Sequence, residues 1–274
     1  MLKRLSRKRA YIVGAAVLTV LIASAAGFLL ARTGREQDRA WQRVTASGTL
    51  RIGLDPSYPP FEYVDEDTGQ VQGYDVDLAR EIGRRLGLEV EFVNIGFDSL
   101  HDAVQTGKVD AAISGIPYDP TRTEDISYGV WYFNAGQLIV VRADENNIAT
   151  VNDFSRRRVG VELGSTADLE VRRLQKRIRD IDLASYPTTD DALIALANRQ
   201  VDVVIADAVS TYLFMAEGGA VRVVGEPISD ESYAVVTGRK SSQLRAAIDT
   251  AIEGMRADGF LDALRDKWLL RQRE

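Results

Sequence analysis

A helix-strand unit that occurs twice limits what this chain can fold into more than any other feature. Residues 98–114 read as an amphipathic helix, a tight turn and then Val109-Asp110-Ala111-Ala112-Ile113-Ser114. Residues 190–206 repeat the plan, ending in Val201-Asp202-Val203-Val204-Ile205-Ala206. Val109 matches Val201, Asp110 matches Asp202 and Ile113 matches Ile205, each 92 positions later. One unit used twice implies two similar α/β lobes, and the cleft where their strands end is the natural place for a ligand. Arg122 follows the first copy and Asp207 ends the second. Opposite charges on opposite lips of a cleft would suit a zwitterion.

Composition narrows the partners. The chain has 274 residues, 45% of them hydrophobic and 27% charged, enough for one large or two ordinary domains with a real core. Seven basic residues and no acid lie in the first 35 positions; beyond them stand 27 basic and 40 acidic residues, a net of −13. Such a body is a poor match for nucleic acid, which needs basic patches. There is no cysteine, which excludes disulfides, thiol catalysis, Cys-based zinc sites and an N-terminal lipidated Cys. With a single histidine, His101, most simply a surface residue, a transition-metal site is not expected, and no cofactor is implied.

Residues 1–9 are strongly basic, and residues 10–31 then run without a charge. About 20 apolar residues span a bilayer core, and the basic flank should stay cytoplasmic, so everything after Arg32 is exported. Ala23-Ser24-Ala25 resembles a signal-peptidase site, which would make the segment a signal cleaved near Ala25. The run continues through Phe28-Leu29-Leu30, however, and that length favours an uncleaved transmembrane anchor. Either way the body works on the extracytoplasmic face of the membrane.

Residues 32–43 read as a polar spacer, and the folded body starts near Val44. Strands are predicted at residues 50–54, 88–93, 137–141, 158–162, 221–224 and 233–237, and helices at 75–86, 166–178, 208–216, 241–257 and 260–270. Pro59-Pro60 forbids a helix or central strand in its loop. Strands alternating with helices argue for mainly parallel sheets. The first lobe takes residues 44–136 plus 234–274, and the second takes 137–233.

Several motifs then occur in order: Arg51-Ile52-Gly53-Leu54-Asp55-Pro56-Ser57-Tyr58-Pro59-Pro60-Phe61-Glu62, Gly73-Tyr74-Asp75-Val76-Asp77, Gly107-Lys108-Val109-Asp110 through to Arg122, Tyr132-Phe133-Asn134-Ala135-Gly136-Gln137, Val159-Gly160-Val161-Glu162-Leu163-Gly164-Ser165-Thr166 and Ala257-Asp258-Gly259-Phe260. This ordered set, over residues 44–268, resembles the extracellular solute-binding proteins of polar amino-acid ABC transporters. The resemblance implies a periplasmic-binding-protein-like fold of two α/β lobes joined by two hinge strands. It implies a monomer that closes on a free amino acid, without catalysis, and presents it to an ABC permease and its ATPase on separate chains.

The same resemblance assigns site residues. Arg122 would hold the ligand α-carboxylate in its guanidinium fork, although alone it would read as a solvated loop residue. Asp207 would receive the ammonium, or cap the helix after it, or both. Thr166, with Ser165 at a helix start, would donate to the carboxylate; capping by Ser165 is compatible with that. Tyr58 and Phe61 would form an aromatic wall, although a lone Phe61 would read as core. Ser114 and Gly115 would contact the ammonium side. Asp55 and Glu162 would approach the ligand side chain and hint that it is polar or cationic. At Pro117 the chain departs from the family, which has Ser or Thr there; proline brings neither hydroxyl nor N–H, so the carboxylate grip is weaker or rearranged. Two other classes fit the fold: a cyclohexadienyl-dehydratase-like enzyme with Glu162 as general acid, and a ligand-sensing ectodomain that signals through a separate chain.

Overall fold

The computed structural model describes residues 39–270. The basic flank and the uncharged 10–31 segment lie outside the described residues, and among the described residues no helix is long and apolar enough to cross a membrane. The description begins with helix α1 (Arg39–Ser47), which overlaps residues read from the sequence as spacer. The helix forms because one face is apolar: Val44 is fully buried, and Ala40 and Trp41 pack against the core.

Strand β1 (Thr49–Leu54) leads into a small antiparallel sheet of β2 (Ser57–Tyr58), β3 (Glu62–Val64) and β4 (Val71–Gln72). Helix α2 (Tyr74–Leu86) follows and stops at Gly87, whose φ of 68° is the left-handed cap that glycine takes without strain. Then come β5 (Glu89–Asn94), α3 (Leu100–Gln105), the two-residue β6 (Ala111–Ala112) and the long β7 (Ile126–Asn134). The second half runs β8 (Gln137–Arg142), β9 (Arg158–Glu162), α4 (Thr166–Gln175), β10 (Asp182–Tyr186), α5 (Thr189–Ala197), β11 (Val203–Asp207), α6 (Ala208–Ala216) and β12 (Val221–Val224). Strand β13 (Ser232–Gly238), α7 (Ser242–Ala257), α8 (Phe260–Arg265) and a wide final turn, Asp266–Leu270, complete the described chain.

Two five-stranded sheets result, ordered β5-β1-β6-β13-β7 and β10-β9-β11-β8-β12. In each, one strand runs against the rest: β13 pairs antiparallel with both β6 and β7, and β8 with both β11 and β12. Those two strands are the ones that enter straight from the other lobe, so they arrive at the opposite end of the sheet.

The doubled unit survives in atomic detail. Asp110 Oδ2 accepts the Arg51 N–H at 2.9 Å at the start of β1, and Asp202 Oδ2 accepts the Arg158 N–H at 2.8 Å at the start of β9. Val109, Val201, Ile113 and Ile205 are all buried. Each copy therefore uses the same valine to fill the core and the same aspartate to tie the turn to the neighbouring strand. The lobe-one aspartate also carries the guanidinium groups of Arg51 and Arg43.

Two chain crossings join the lobes, and they lie side by side. Asn134 Oδ1 accepts the N–H of Gly136 at 2.8 Å and of Glu231 at 3.1 Å. The Ala135 N–H donates to the Glu231 carbonyl at 3.0 Å, the Ile228 N–H to the Gln137 carbonyl at 2.7 Å and the Gln137 N–H to Ser229 Oγ at 2.9 Å. A third contact comes from the end of the chain. Asp77 of α2 binds Lys267 Nζ and Trp268 Nε1, while the Arg265 guanidinium lies 5.8 Å from the Tyr212 ring of α6. The last turn thus touches the second lobe as well as the first, to which sequence reading assigned it.

The crossings leave no room for a side chain at Gly136, where a Cβ would lie 2.1 Å from the Ser229 carbonyl oxygen. Gly136→Ala should therefore lower stability by about 1–3 kcal/mol, the usual effect of forced overpacking, read as a drop in thermal midpoint. An unchanged midpoint would show that the crossings separate freely.

Candidate functional site

At the lobe-one side of the crossings lies a cavity of about 350 Å³, lined by Asp55, Tyr58, Glu62, Ser114, Glu231 and Tyr233 together with Ser57, Phe97, Gly115 and Pro117. Strand order explains the position: β1, β6 and β13 are neighbours, and because β13 is antiparallel to the other two, the chain leaving β1 and β6 and the chain entering β13 meet at the same sheet edge. A larger hollow of about 650 Å³ lies elsewhere, between α1 and the start of α7, and none of the residues singled out from the sequence lines it.

The cavity floor is a buried carboxyl pair. Ser114 Oγ donates to Glu62 Oε1 at 2.6 Å and accepts the Asp55 N–H at 3.0 Å. Asp75 Oδ2 accepts the Gly115 N–H at 2.6 Å and the Tyr132 hydroxyl at 2.9 Å. Glu62 and Asp75 are both completely buried, and Glu62 Oε2 and Asp75 Oδ1 have no hydrogen-bond partner. Burial, then the neighbouring Asp75 charge, drives Glu62 far above the ordinary carboxylate range. Burial raises Asp75 as well, opposed by the Gly115 and Tyr132 hydrogen bonds. Glu62 is therefore the member that keeps a proton at neutral pH. The approach depends on Gly73, at φ 140°, where a Cβ would lie 2.0 Å from the Phe61 carbonyl oxygen.

Aromatic rings form one wall. Tyr58 stacks on Phe61 with centroids 5.2 Å apart, and its hydroxyl meets that of Tyr233 at 3.1 Å. Phe61 itself is wholly buried among Tyr58, Tyr74, Phe133 and Tyr233, one layer behind the surface that Tyr58 presents. Its expected place on the cleft wall is corrected accordingly: the apolar ring fills the core while the phenol, with its polar tip, takes the edge.

The other residues singled out from the sequence are distributed as follows. Asp55 is at the cavity, but Oδ2 accepts the Phe97 N–H at 2.8 Å. Gly115, at φ 52°, packs its backbone against Tyr58, and its N–H is taken by Asp75. Pro117 forms an isolated bridge with Tyr233, flanked by Ala234 N–H to the Ile116 carbonyl and Tyr118 N–H to the Ser232 carbonyl. Arg122 does not line the cavity. It sits in the short helical turn Pro120–Arg122, is 53% exposed, and has Nε 3.8 Å from Asp119 Oδ2 in a separate hollow beside His101. The turn aims it there because Asp119 caps it, accepting the Thr121 N–H at 2.8 Å.

From the second lobe, Asp207 ends β11 and caps α6, with Oδ1 accepting the Ser210 N–H at 2.9 Å. Asp207 pairs with Gln137 where β11 meets β8, and the Ala208 N–H donates to the Ala135 carbonyl at 3.4 Å, so Asp207 stands beside the crossings, and its charge raises both Tyr58 and Glu231. Ser165 caps α4 through the Asp168 N–H at 3.2 Å, Thr166 is exposed in its first turn, and Glu162 Oε2 accepts the Thr189 hydroxyl at 2.7 Å. The cavity residues that sequence reasoning did not single out are Ser57, Glu62, Phe97, Tyr233 and Glu231. Glu62 and Tyr233 stand in segments read as motif or strand; nothing in the sequence marks Glu231.

The carboxyl pair gives a pH signature with a definite sign. The folded state holds a proton on Glu62 that the unfolded chain releases above about pH 4.5, so folding binds protons and stability falls as pH rises from there towards about 10. Glu62→Gln keeps an acceptor for Ser114 while removing the titration. Its thermal midpoint should exceed that of the parent chain at pH 8 and vary less between pH 5 and 9. An unchanged pH slope would overturn the assignment of the proton to Glu62.

Sequence and structure comparisons agree with the cleft. Residues 50–271 match the family of bacterial extracellular solute-binding proteins, family 3. The histidine-binding periplasmic protein of Escherichia coli K12 is 29% identical over 80% of this chain and 86% of its own length. The ABC transporter arginine-binding protein 1 of the same organism is 25% identical over 82% of this chain and 92% of its own. The crystal structure of an ancestral cyclohexadienyl dehydratase superposes with a TM-score of 0.74 at 26% identity, covering 85% of this chain and 96% of the other. The paired lobes, the side-by-side crossings and the cavity at the strand ends belong with that family match: the chain is a member of the family-3 bacterial extracellular solute-binding proteins.

Proposed function

We propose that the chain is the extracytoplasmic substrate-binding component of an ABC importer, taking a free polar or cationic amino acid between its lobes and delivering it to a membrane permease. The observation that carries this reading is Asp207, an acid that ends a lobe-two strand opposite Gln137, beside the crossings that bound the lobe-one cavity. A ligand ammonium between Asp207 and that cavity would join the lobes and favour the closed state of a hinge. Hinge closure of periplasmic binding proteins is itself a standard instance of this transition.

In this reading Tyr58 covers the ligand, and Ser114 and Gly115 shape the floor. The start of α4, with Ser165 and Thr166, offers its positive dipole end to the carboxylate. Arg122 completes the grip by leaving Asp119, a long and exposed ion pair that holds it weakly. Asp55 and Glu162 stand nearer the side chain. The 10–31 segment would keep the protein at the outer face of the membrane as an anchor, or export it if cleaved near Ala25.

Enzymatic turnover is the weaker reading, although one structural neighbour is a dehydratase. A dehydratase needs a general acid aimed at its substrate. The carboxyl that retains a proton in this cavity is Glu62, which is completely buried and held at Oε1 by Ser114. Glu162, the acid favoured from sequence, accepts a hydrogen bond from Thr189.

Calorimetric titration of the full-length chain with a panel of basic, amide and acidic amino acids tests the reading. One of them should bind with a Kd in the micromolar range or tighter, and Asp207→Asn should weaken it about 10- to 100-fold through loss of a charge-assisted hydrogen bond. No binding by any amino acid would overturn it.

A further inference from the structure

We propose that Glu231 is the residue that selects a ligand with net positive charge, its carboxylate receiving a second cationic group on the ligand besides the ammonium that Asp207 takes. The inference rests on the solute-binding reading of this cavity and adds to it a specificity determinant on the hinge.

The acids around the cavity differ in what already occupies them. The Asp55 carboxylate is bound by the Phe97 N–H, and that of Glu62 by Ser114. Asp207 gives one oxygen to the Ser210 N–H. Glu231 is engaged only through its backbone, its N–H to Asn134 Oδ1 and its carbonyl to the Ala135 N–H; its carboxylate accepts no hydrogen bond and makes no ion pair among the described residues. The backbone bonds fix the Cα from which the side chain reaches the cavity wall.

Among the described residues, no lysine, arginine or histidine lines the cavity. Burial and then the Asp207 charge push Glu231 above the ordinary carboxylate range, the direction expected of an acid facing another acid without a countercation. Beside it, Pro117 offers no N–H, and the Gly115 N–H is bound to Asp75. The wall that carries Glu231 is therefore poor in donors for an anion and has a free acceptor for a cation. Because Glu231 sits on a crossing and Asp207 on the second lobe, drawing the lobes together opposes two like charges unless a cation lies between them. A cationic ligand would relieve that repulsion, which couples the choice of ligand to closure.

The test is calorimetric titration of the full-length chain and its Glu231→Gln and Glu231→Lys variants with arginine, glutamine, glutamate and agmatine, which is arginine without its carboxylate. The parent chain should prefer arginine to glutamine. Glu231→Gln should cut that preference about 10- to 100-fold, and Glu231→Lys should reverse it. A variant that was merely distorted would weaken both ligands alike and leave the ratio unchanged. An unchanged ratio, or a parent chain that prefers glutamine or glutamate, overturns the role of Glu231 while leaving the amino-acid reading intact. Binding of agmatine but of no amino acid, lost about equally in Glu231→Gln, overturns the amino-acid reading and upholds Glu231. No binding of any of the four overturns both.

Discussion

The lobes are held in register by one carboxamide. Asn134 Oδ1 takes an N–H from each crossing, Gly136 on the way into the second lobe and Glu231 on the way back. Around that oxygen the two backbones are zipped by bonds of 2.7–3.0 Å that would otherwise leave polar groups exposed at a bend. The constraint reaches outward. Strand β13 leaves the crossing with Tyr233 against Tyr58 and with Glu231 at the cavity, while β8 leaves it toward β11 and Asp207. Cavity, hinge and opposing acid are thus set by the same few hydrogen bonds.

The cavity is also a place where negative charge is managed rather than avoided. Glu62 and Asp75 tolerate complete burial because one of them keeps its proton and the other receives two donors. That arrangement is rigid, and it fixes the Ser114-Gly115 turn beneath any ligand. Asp207 and Glu231 are handled in the opposite way. They are closer to solvent, make no ion pair among the described residues, and belong to parts of the chain that a hinge can move. One acid pair shapes the site, and the other leaves a charge for a ligand to satisfy.

Local chemistry made the doubled unit readable, since Asp110 and Asp202 tie equivalent turns to equivalent strands through the same bond. Helix α2 was readable for the same kind of reason, with a clean apolar face and Gly87 to end it. Strand β7 was hidden because Trp131 is 49% exposed and the run through Ser127, Tyr128 and Gly129 lacks alternation; its pairing with β13 builds it, with bulges. The depth of Phe61 relative to Tyr58, and the outward turn of Arg122 set by Asp119, are tertiary facts that residue type does not carry. The carboxyl pair joins residues 62 and 75 only through the close approach at Gly73, and Glu231 meets Asp207 only through the crossings.

The central claim is that ligand binding moves one lobe against the other about these crossings. The chain has no cysteine, so a Glu66→Cys, Lys176→Cys pair would carry spin labels at two exposed sites only, one in each lobe. The distance distribution between those labels, measured with and without saturating ligand, tests the claim directly. The account predicts a shift to a shorter, narrower distribution with ligand, and in Asp207→Asn the same shift only at about 10- to 100-fold higher ligand concentration. An identical distribution with ligand bound would contradict it and make the cavity a rigid site on a single lobe.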